Sequence, residues 1–243
     1  MLKHFRMDLH IHTCLSPCAD LEMLPGALVK EAKNKKLDAI GICDHNSMEN
    51  VAAVKKAASK EGLCVFAGIE ITSAEEVHIL AFFDENAAQD KMQDIVYNNL
   101  SGKNDADFFG EQLVTDENGR LISSNEKLLI GSTSLKVEEI VHTVHDLGGL
   151  AIASHIDRES FSILGHLGFI PRQLALDAVE LSANYELEKL GDYESYGLPI
   201  VAFSDAHFLS DIGRICTDFL LDEPTLPEIK MAFKGAGGRG LSI

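Results

Sequence analysis

Six of the ten histidines in this chain stand in or just after short apolar runs, with acidic residues beside them. His10 and His12 follow Phe5 to Leu9, and His45 follows Ala39 to Asp44. His78 lies in Val77 to Leu80, His155 closes Leu150 to Ser154, and His207 follows Ile200 to Asp205. Asp44, Glu70 and Asp205 accompany them. In His10-Ile11-His12 the imidazoles alternate, so on a strand they share a face and can reach one ion. Burying this many polar groups together without a cation to satisfy them is costly. Mixed nitrogen and oxygen donors suit borderline first-row cations. The pattern predicts a multinuclear metal site, built at one end of successive strands.

The elements that must position these residues alternate between strand and helix. Amphipathic stretches at Ala27 to Lys33, Met48 to Lys60, Asp90 to Leu100, Val137 to Leu147 and Leu226 to Phe233 read as helices. Between them lie strand-like runs at Phe5 to Leu9, Asp38 to Cys43, Leu63 to Ile71, Val77 to Phe83, Leu150 to Ser154, Ala178 to Leu181, Pro199 to Phe203 and Thr217 to Leu221. Strands separated by helices imply parallel pairing with helical crossovers. A closed or nearly closed barrel is expected rather than an open sheet, because only a ring brings so many strand ends to one centre. Residues 101–135 break the rhythm. They are polar and carry Asp116-Glu117-Asn118-Gly119 between two apolar runs, which suits a hairpin with a positive-φ turn. This segment is expected to be an insertion near the barrel mouth, within one domain spanning residues 1–243. The glycines from Gly235 to Gly240 suggest a loose tail.

Composition narrows the classes. At 243 residues and 46% apolar, the chain can bury one full core. Lys and Arg total 21 against 38 Asp and Glu, a net charge of −17. That balance argues against long nucleic acid and anionic membranes as partners. A small anionic substrate stays compatible, since bound divalent cations reverse the local potential. Five scattered cysteines, no apolar leader at Met1 to Arg6 and no ~20-residue apolar span lead to the expectation of a reducing, cytoplasmic location. No dinucleotide or phosphate-loop fingerprint appears, and no nucleophile elbow.

The ordered set Asp8-Leu9-His10-Ile11-His12-Thr13, Cys43-Asp44-His45, Gly68-Ile69-Glu70, Val77-His78-Ile79, His155 and Ser204-Asp205-Ala206-His207 resembles the motif series of the polymerase and histidinol phosphatase (PHP) family. The resemblance runs in order from about residue 5 to about residue 215. It implies an α/β fold, a distorted (β/α)7 barrel, with two or three divalent ions (manganese, iron or zinc) and hydrolysis of a phosphoester. It also implies ligand sets. His10, His12, Glu70 and Asp205 would hold one ion. Glu70, as a bridge, would hold a second with His78 and His155. His45 and His207 would hold a third, completed from the unusually long loop Cys14 to Asp20. Asp20 is the first candidate there and Cys18 the second. Asp44 is expected to accept a hydrogen bond that orients a ligating histidine.

In that chemistry a metal-activated water attacks phosphorus, and no Ser or Cys nucleophile is required. Asp205, His207 and Arg158 are the expected catalytic groups, with His207 or His45 as the proton donor where the third ion is missing. Arg158 and Arg214 are candidate phosphate clamps, and Lys136 a weaker one. His142 and His145 share a helix face away from the mouth and are expected to be structural. The expected partner is a small phosphorylated molecule, such as a nucleoside monophosphate, a nucleotide end or a sugar phosphate. Histidinol phosphate and a non-catalytic metal-binding regulatory role are the alternatives, and a processive nuclease is disfavoured.

Overall fold

The computed structural model describes residues 1–243. Eleven strands form: β1 (Lys3–Ile11), β2 (Ala39–Ile42), β3 (Cys64–Thr72), β4 (His78–Phe83), β5 (Leu113–Thr115), β6 (Leu121–Ser124), β7 (Leu150–Ala153), β8 (Ala178–Leu181), β9 (Ile200–Ala202), β10 (Thr217–Leu221) and β11 (Gly240–Ser242). The helices are α1 (Pro25–Asn34), α2 (Val51–Ala58), α3 (Asn86–Asn99), α4 (Ala106–Phe109), α5 (Val137–Asp146), α6 (Ile163–Leu167), α7 (Leu190–Glu194) and α8 (Leu226–Phe233). Helix α5 shows why these runs fold as they do. Val137, Ile140, Val141 and Val144 form one buried stripe. Glu139 accepts the Lys136 backbone N–H at 2.8 Å, and the chain leaves the helix through Gly148 at φ +74°.

The main sheet runs β11-β10-β1-β2-β3-β4-β7-β8-β9. Its seven strands from β1 to β9 curl until the chain after β9 meets the end of β1. There Ile11 bridges Ala206, with His12 N–H to Ala206 O at 3.0 Å and Ala206 N–H to His10 O at 3.2 Å. The result is a nearly closed, distorted (β/α) barrel. One distortion is β4, which is antiparallel to both β3 and β7. Strands β10 and β11 extend the sheet outside the ring. The glycine-rich end is therefore not a loose tail. Gly240, Leu241 and Ser242 pair with β10.

Side chains alternate across the ring. Outward residues such as Ile40, Ile69, Ile79 and Val179 pack with the helices. Inward residues Phe66, Leu80, Phe82, Ile152, Val201 and Phe203 fill the lower barrel. Gly68 makes this layer possible, since a Cβ there would lie 2.5 Å from Cys43 Sγ and 2.8 Å from the Phe82 ring. In β1 the register shifts between Asp8 and Ile11. This irregularity lets Leu9 join the inner apolar layer while His10 and His12 also face inward above it. Gly41 sits against it, where a Cβ would fall 2.2 Å from Leu9 O.

The 101–135 segment carries α4 and the β5–β6 hairpin. Leu113 N–H bonds Cys14 O at 2.9 Å and Thr115 N–H bonds Asn50 Oδ1 at 3.0 Å. Asn46 Nδ2 donates to Leu129 O and Gly131 O, both at 2.8 Å. In the hairpin turn only Gly119 takes positive φ.

Candidate metal centre

Strands β1, β3, β4 and β8 each carry a charged or imidazole group of the site, and the chain just past β1, β2, β7 and β9 supplies the rest. His10 comes from β1 and His12 directly follows it, while Glu70 comes from β3 and Glu180 from β8. Asp44 and His45 follow β2, His155 follows β7, and Asp205 and His207 follow β9. His78 opens its strand instead of closing it, yet it reaches the same mouth because β4 runs backwards. His155 and Asp205 lie in the left-handed region, at φ +28° and +49°. Such backbone costs of order 1–3 kcal/mol and clusters at functional sites.

Glu70 is the hub. Its carboxylate lies 2.8 Å from His78 Nδ1, 3.0 Å from His45 Nδ1, 3.3 Å from His155 Nε2, 3.4 Å from His12 Nε2 and 3.5 Å from His10 Nε2. Asp205 Oδ1 is 3.0 Å from His12 Nε2 and 3.3 Å from His10 Nε2. Three sets of donor atoms converge within 4.8 Å of one another: His10, His12, Glu70 and Asp205; His45, Glu70 and His78; and His12, His45 and His207. His155 touches Glu70 but stands outside all three.

Three imidazoles are held with Nε2 inward. His10 Nδ1 meets Glu180 Oε1 at 2.9 Å. His12 Nδ1 donates to Ser16 Oγ at 2.9 Å, and Ser16 in turn donates to Asp44 Oδ1 at 2.7 Å. His207 Nδ1 donates to Asp205 O at 2.9 Å. A proton fixed on Nδ1 leaves the Nε2 lone pair for an ion. Asp44 thus reaches His12 through Ser16.

The electrostatics favour cations here. Burial pushes the Glu70 carboxyl up, but His78, His10 and His45 outweigh it and hold it well below the usual range. Burial alone would lower His10, yet Glu180, Asp205 and Glu70 raise it well above an ordinary imidazole. His78 is brought down to about 4, burial exceeding the pull of Glu70. Carboxylates that draw protons onto imidazoles draw divalent ions in their place. The fit is also visible in buried atoms without a hydrogen-bond partner: His45 Nδ1, Glu70 Oε2 and His155 Nδ1. His45 Nδ1 and Glu70 Oε2 are close but misaligned for a hydrogen bond. Unpaired buried polar atoms are rare unless an ion or water completes them.

Above this cluster opens a cavity of about 220 Å³, lined by Cys18, His45, Glu70, His78, Ile130, His155, Arg158, Phe161, Asp205 and His207. Larger surface grooves lie elsewhere but hold no such donor set. Arg158 Nη1 sits 2.6 Å from Asp205 Oδ2. Three candidates are not brought here. Asp20 turns away, its Oδ1 accepting the Glu22 N–H at 2.8 Å in a local turn. Cys18 lines the cavity in its stead. Burial opposes ionisation of that thiol, but His45, His207 and His12 bring it down to about 5. Arg214 is exposed and donates to Asn184 Oδ1 at 2.8 Å, outside the cavity. Lys136 stands at the N-cap of α5, outside the cavity, His142 is exposed beside Asp146 and His145 bonds Asp177. Glu180 was not anticipated. Its signal was a lone charge inside the buried strand Ala178–Leu181. Ser16, Ile130 and Phe161 carried no comparable signal.

The PHP domain family profile matches residues 8–172, and the PHP-associated profile matches residues 193–235. The chain belongs to the PHP family. No curated protein matches its sequence. Among solved structures, the lesion-specific endonuclease Q of Pyrococcus furiosus superposes with a TM-score of 0.72 at 20% identity, over 98% of this chain and 58% of that one. This PHP chain thus spans little more than half of the endonuclease. The same TM-score, identity and coverage hold for endonuclease Q crystallised with a 27-mer duplex carrying an abasic lesion at the active site. A protein assigned as a metal-dependent phosphoesterase from Bifidobacterium adolescentis matches with a TM-score of 0.60 at 20% identity, over 83% of this chain and 87% of that one.

These likenesses correct the expectation of a small phosphorylated partner with long nucleic acid excluded. A protein crystallised with duplex DNA has this fold over nearly the whole chain. Net charge describes the average surface, whereas a phosphodiester would meet the local potential of an ion-filled mouth. No helix of this PHP chain is long and apolar enough to cross a membrane.

Proposed function

We propose that this chain hydrolyses a phosphoester in a nucleic acid strand or at its end. The observation that carries the reading is a single cavity lined by Glu70, Asp205, four imidazoles and the guanidinium of Arg158, with the buried His10 and His12 also against the two carboxylates. His10, His12, Glu70 and Asp205 would hold one ion, Glu70, His78 and His155 a second, and His45 and His207 a third. Divalent ions there (manganese, iron or zinc) supply an activated water and neutralise charge building on the phosphoryl oxygens. Glu180, Ser16 and the Asp205 carbonyl fix the imidazole tautomers before substrate arrives. Arg158 stands ready to take a phosphoryl oxygen by charge-assisted hydrogen bonds. A P–O bond forms to the incoming water oxygen, the ester P–O bond breaks, and the departing alcohol takes a proton. The likeness to endonuclease Q supports a nucleic acid as the source of the ester. Ile130 places the 101–135 insertion on the cavity wall, where it would limit what enters.

The test is hydrolysis by purified protein, stripped and reloaded with manganese, iron or zinc. Substrates are an abasic duplex, a single-stranded oligonucleotide with a 5′-phosphate, and a nucleoside monophosphate. Metal-dependent cleavage or phosphate release from either oligonucleotide, lost in Glu70→Gln, is expected. Turnover of the mononucleotide alone would refute the nucleic-acid reading, and no turnover with any metal would refute the phosphoester reading as a whole.

A further inference from the structure

The centre is uneven in its donors. Around Glu70 and Asp205 it offers carboxylate oxygens with imidazoles. Around His12, His45 and His207 it offers three imidazoles and no carboxylate of its own. His12 Nε2 is already turned to Asp205 at 3.0 Å. A first-row cation at that position needs further donors, since zinc takes four in most protein sites. Asp20 does not line the cavity, and its Oδ1 closes a local turn.

Cys18 is the other loop side chain on that wall, sharing the cavity with His45 and His207. The loop holds it there from both sides. Ala19 N–H bonds Ser16 O at 2.9 Å, and Asp20 N–H bonds His207 O at 2.9 Å. Ser16 itself is tied to His12 and Asp44. Pro17 O is pressed so closely by Gly110 of the insertion that a Cβ at 110 would lie 2.3 Å from it. His45 Nδ1, buried in the same wall and 3.0 Å from Glu70 Oε2, has no hydrogen-bond partner.

We infer that Cys18 is a sulfur donor to a cation held with His45 and His207, so that this position is a nitrogen–sulfur site beside oxygen-rich ones. The inference rests on the metal-dependent reading above and adds a selectivity to it. Thiolate favours zinc or another thiophilic cation over manganese and magnesium, so one centre would sort two kinds of metal. The donor is the thiolate.

The test uses the full chain loaded with cobalt(II). Wild type should show a thiolate-to-cobalt charge-transfer band in the near ultraviolet, and Cys18→Ser should lack it and hold one ion fewer by elemental analysis. Cys18→Asp should regain the ion without the band and take manganese in zinc's place. Iodoacetamide mapping gives a second readout. Zinc should slow alkylation of exposed Cys18 by about tenfold or more, while magnesium should not. A wild-type chain that holds its ions but shows no band, or alkylation indifferent to zinc, overturns the inference. A wild type that binds no ion at all overturns it together with the metal-dependent reading.

Discussion

The two halves of the barrel interior are made by the same strands, two residues apart, and they behave as different materials. In the lower half Phe66, Leu80, Phe82, Val201 and Phe203 belong to one apolar cluster, with the Phe82 ring against Gly68. One step up the same inward faces carry Glu70, His78, Glu180 and Asp205. Lower residues gain stability from leaving water. Upper residues lose solvation and recover it only through one another or through ions. The apolar floor thus makes the upper layer a dry, low-dielectric seat in which carboxylates and cations interact strongly.

The contrast can be broken from either side. Phe82→Ala should have the largest effect, about 3–5 kcal/mol of stability by denaturant unfolding, with metal content per folded molecule unchanged. If it strips the ions without loosening the fold, the two layers are not separable. Glu70→Gln should do the opposite: a loss of more than about 100-fold in hydrolysis and depleted ions, with the chain still folded by circular dichroism. Glu180→Gln keeps the volume but weakens the hold on His10. Metal titration should show a loss of affinity of about 10–100-fold, and an unchanged affinity would remove Glu180 from the centre. Arg214→Ala should change hydrolysis and stability least, within about 0.5 kcal/mol, because its partner Asn184 lies outside the cavity. Arg158→Ala measured beside it gives the contrast, with weaker substrate binding expected only there.

Much of this was legible along the chain because it is local. The alternation His10-Ile11-His12 survives at the end of β1, and the apolar runs became strands of the main sheet within a residue or two. Phe82 and Phe83 are buried in the core. Other features depended on pairing. That His78 meets its partners from the start of a strand follows from β4 running antiparallel. The glycine-rich end became β11 because the edge of β10 was open to it. Asp20 and Cys18 are two residues apart in a loop without periodicity, so only the path of Ser16 to Asp20 decides which faces the ions. Glu180 hid in a strand too short to show its role.

By itself the sequence determined the donor types, their order and the family, since motif identity and strand periodicity are written in neighbouring residues. Only the tertiary structure decided that Glu70 is shared by five imidazoles, that Glu180, Ser16 and the Asp205 carbonyl set the tautomers, and that Cys18 rather than Asp20 stands at the mouth. Those relations join residues up to 193 positions apart, as in His12 with Asp205. They exist only once burial has driven the ring closed and forced its polar ends to satisfy one another.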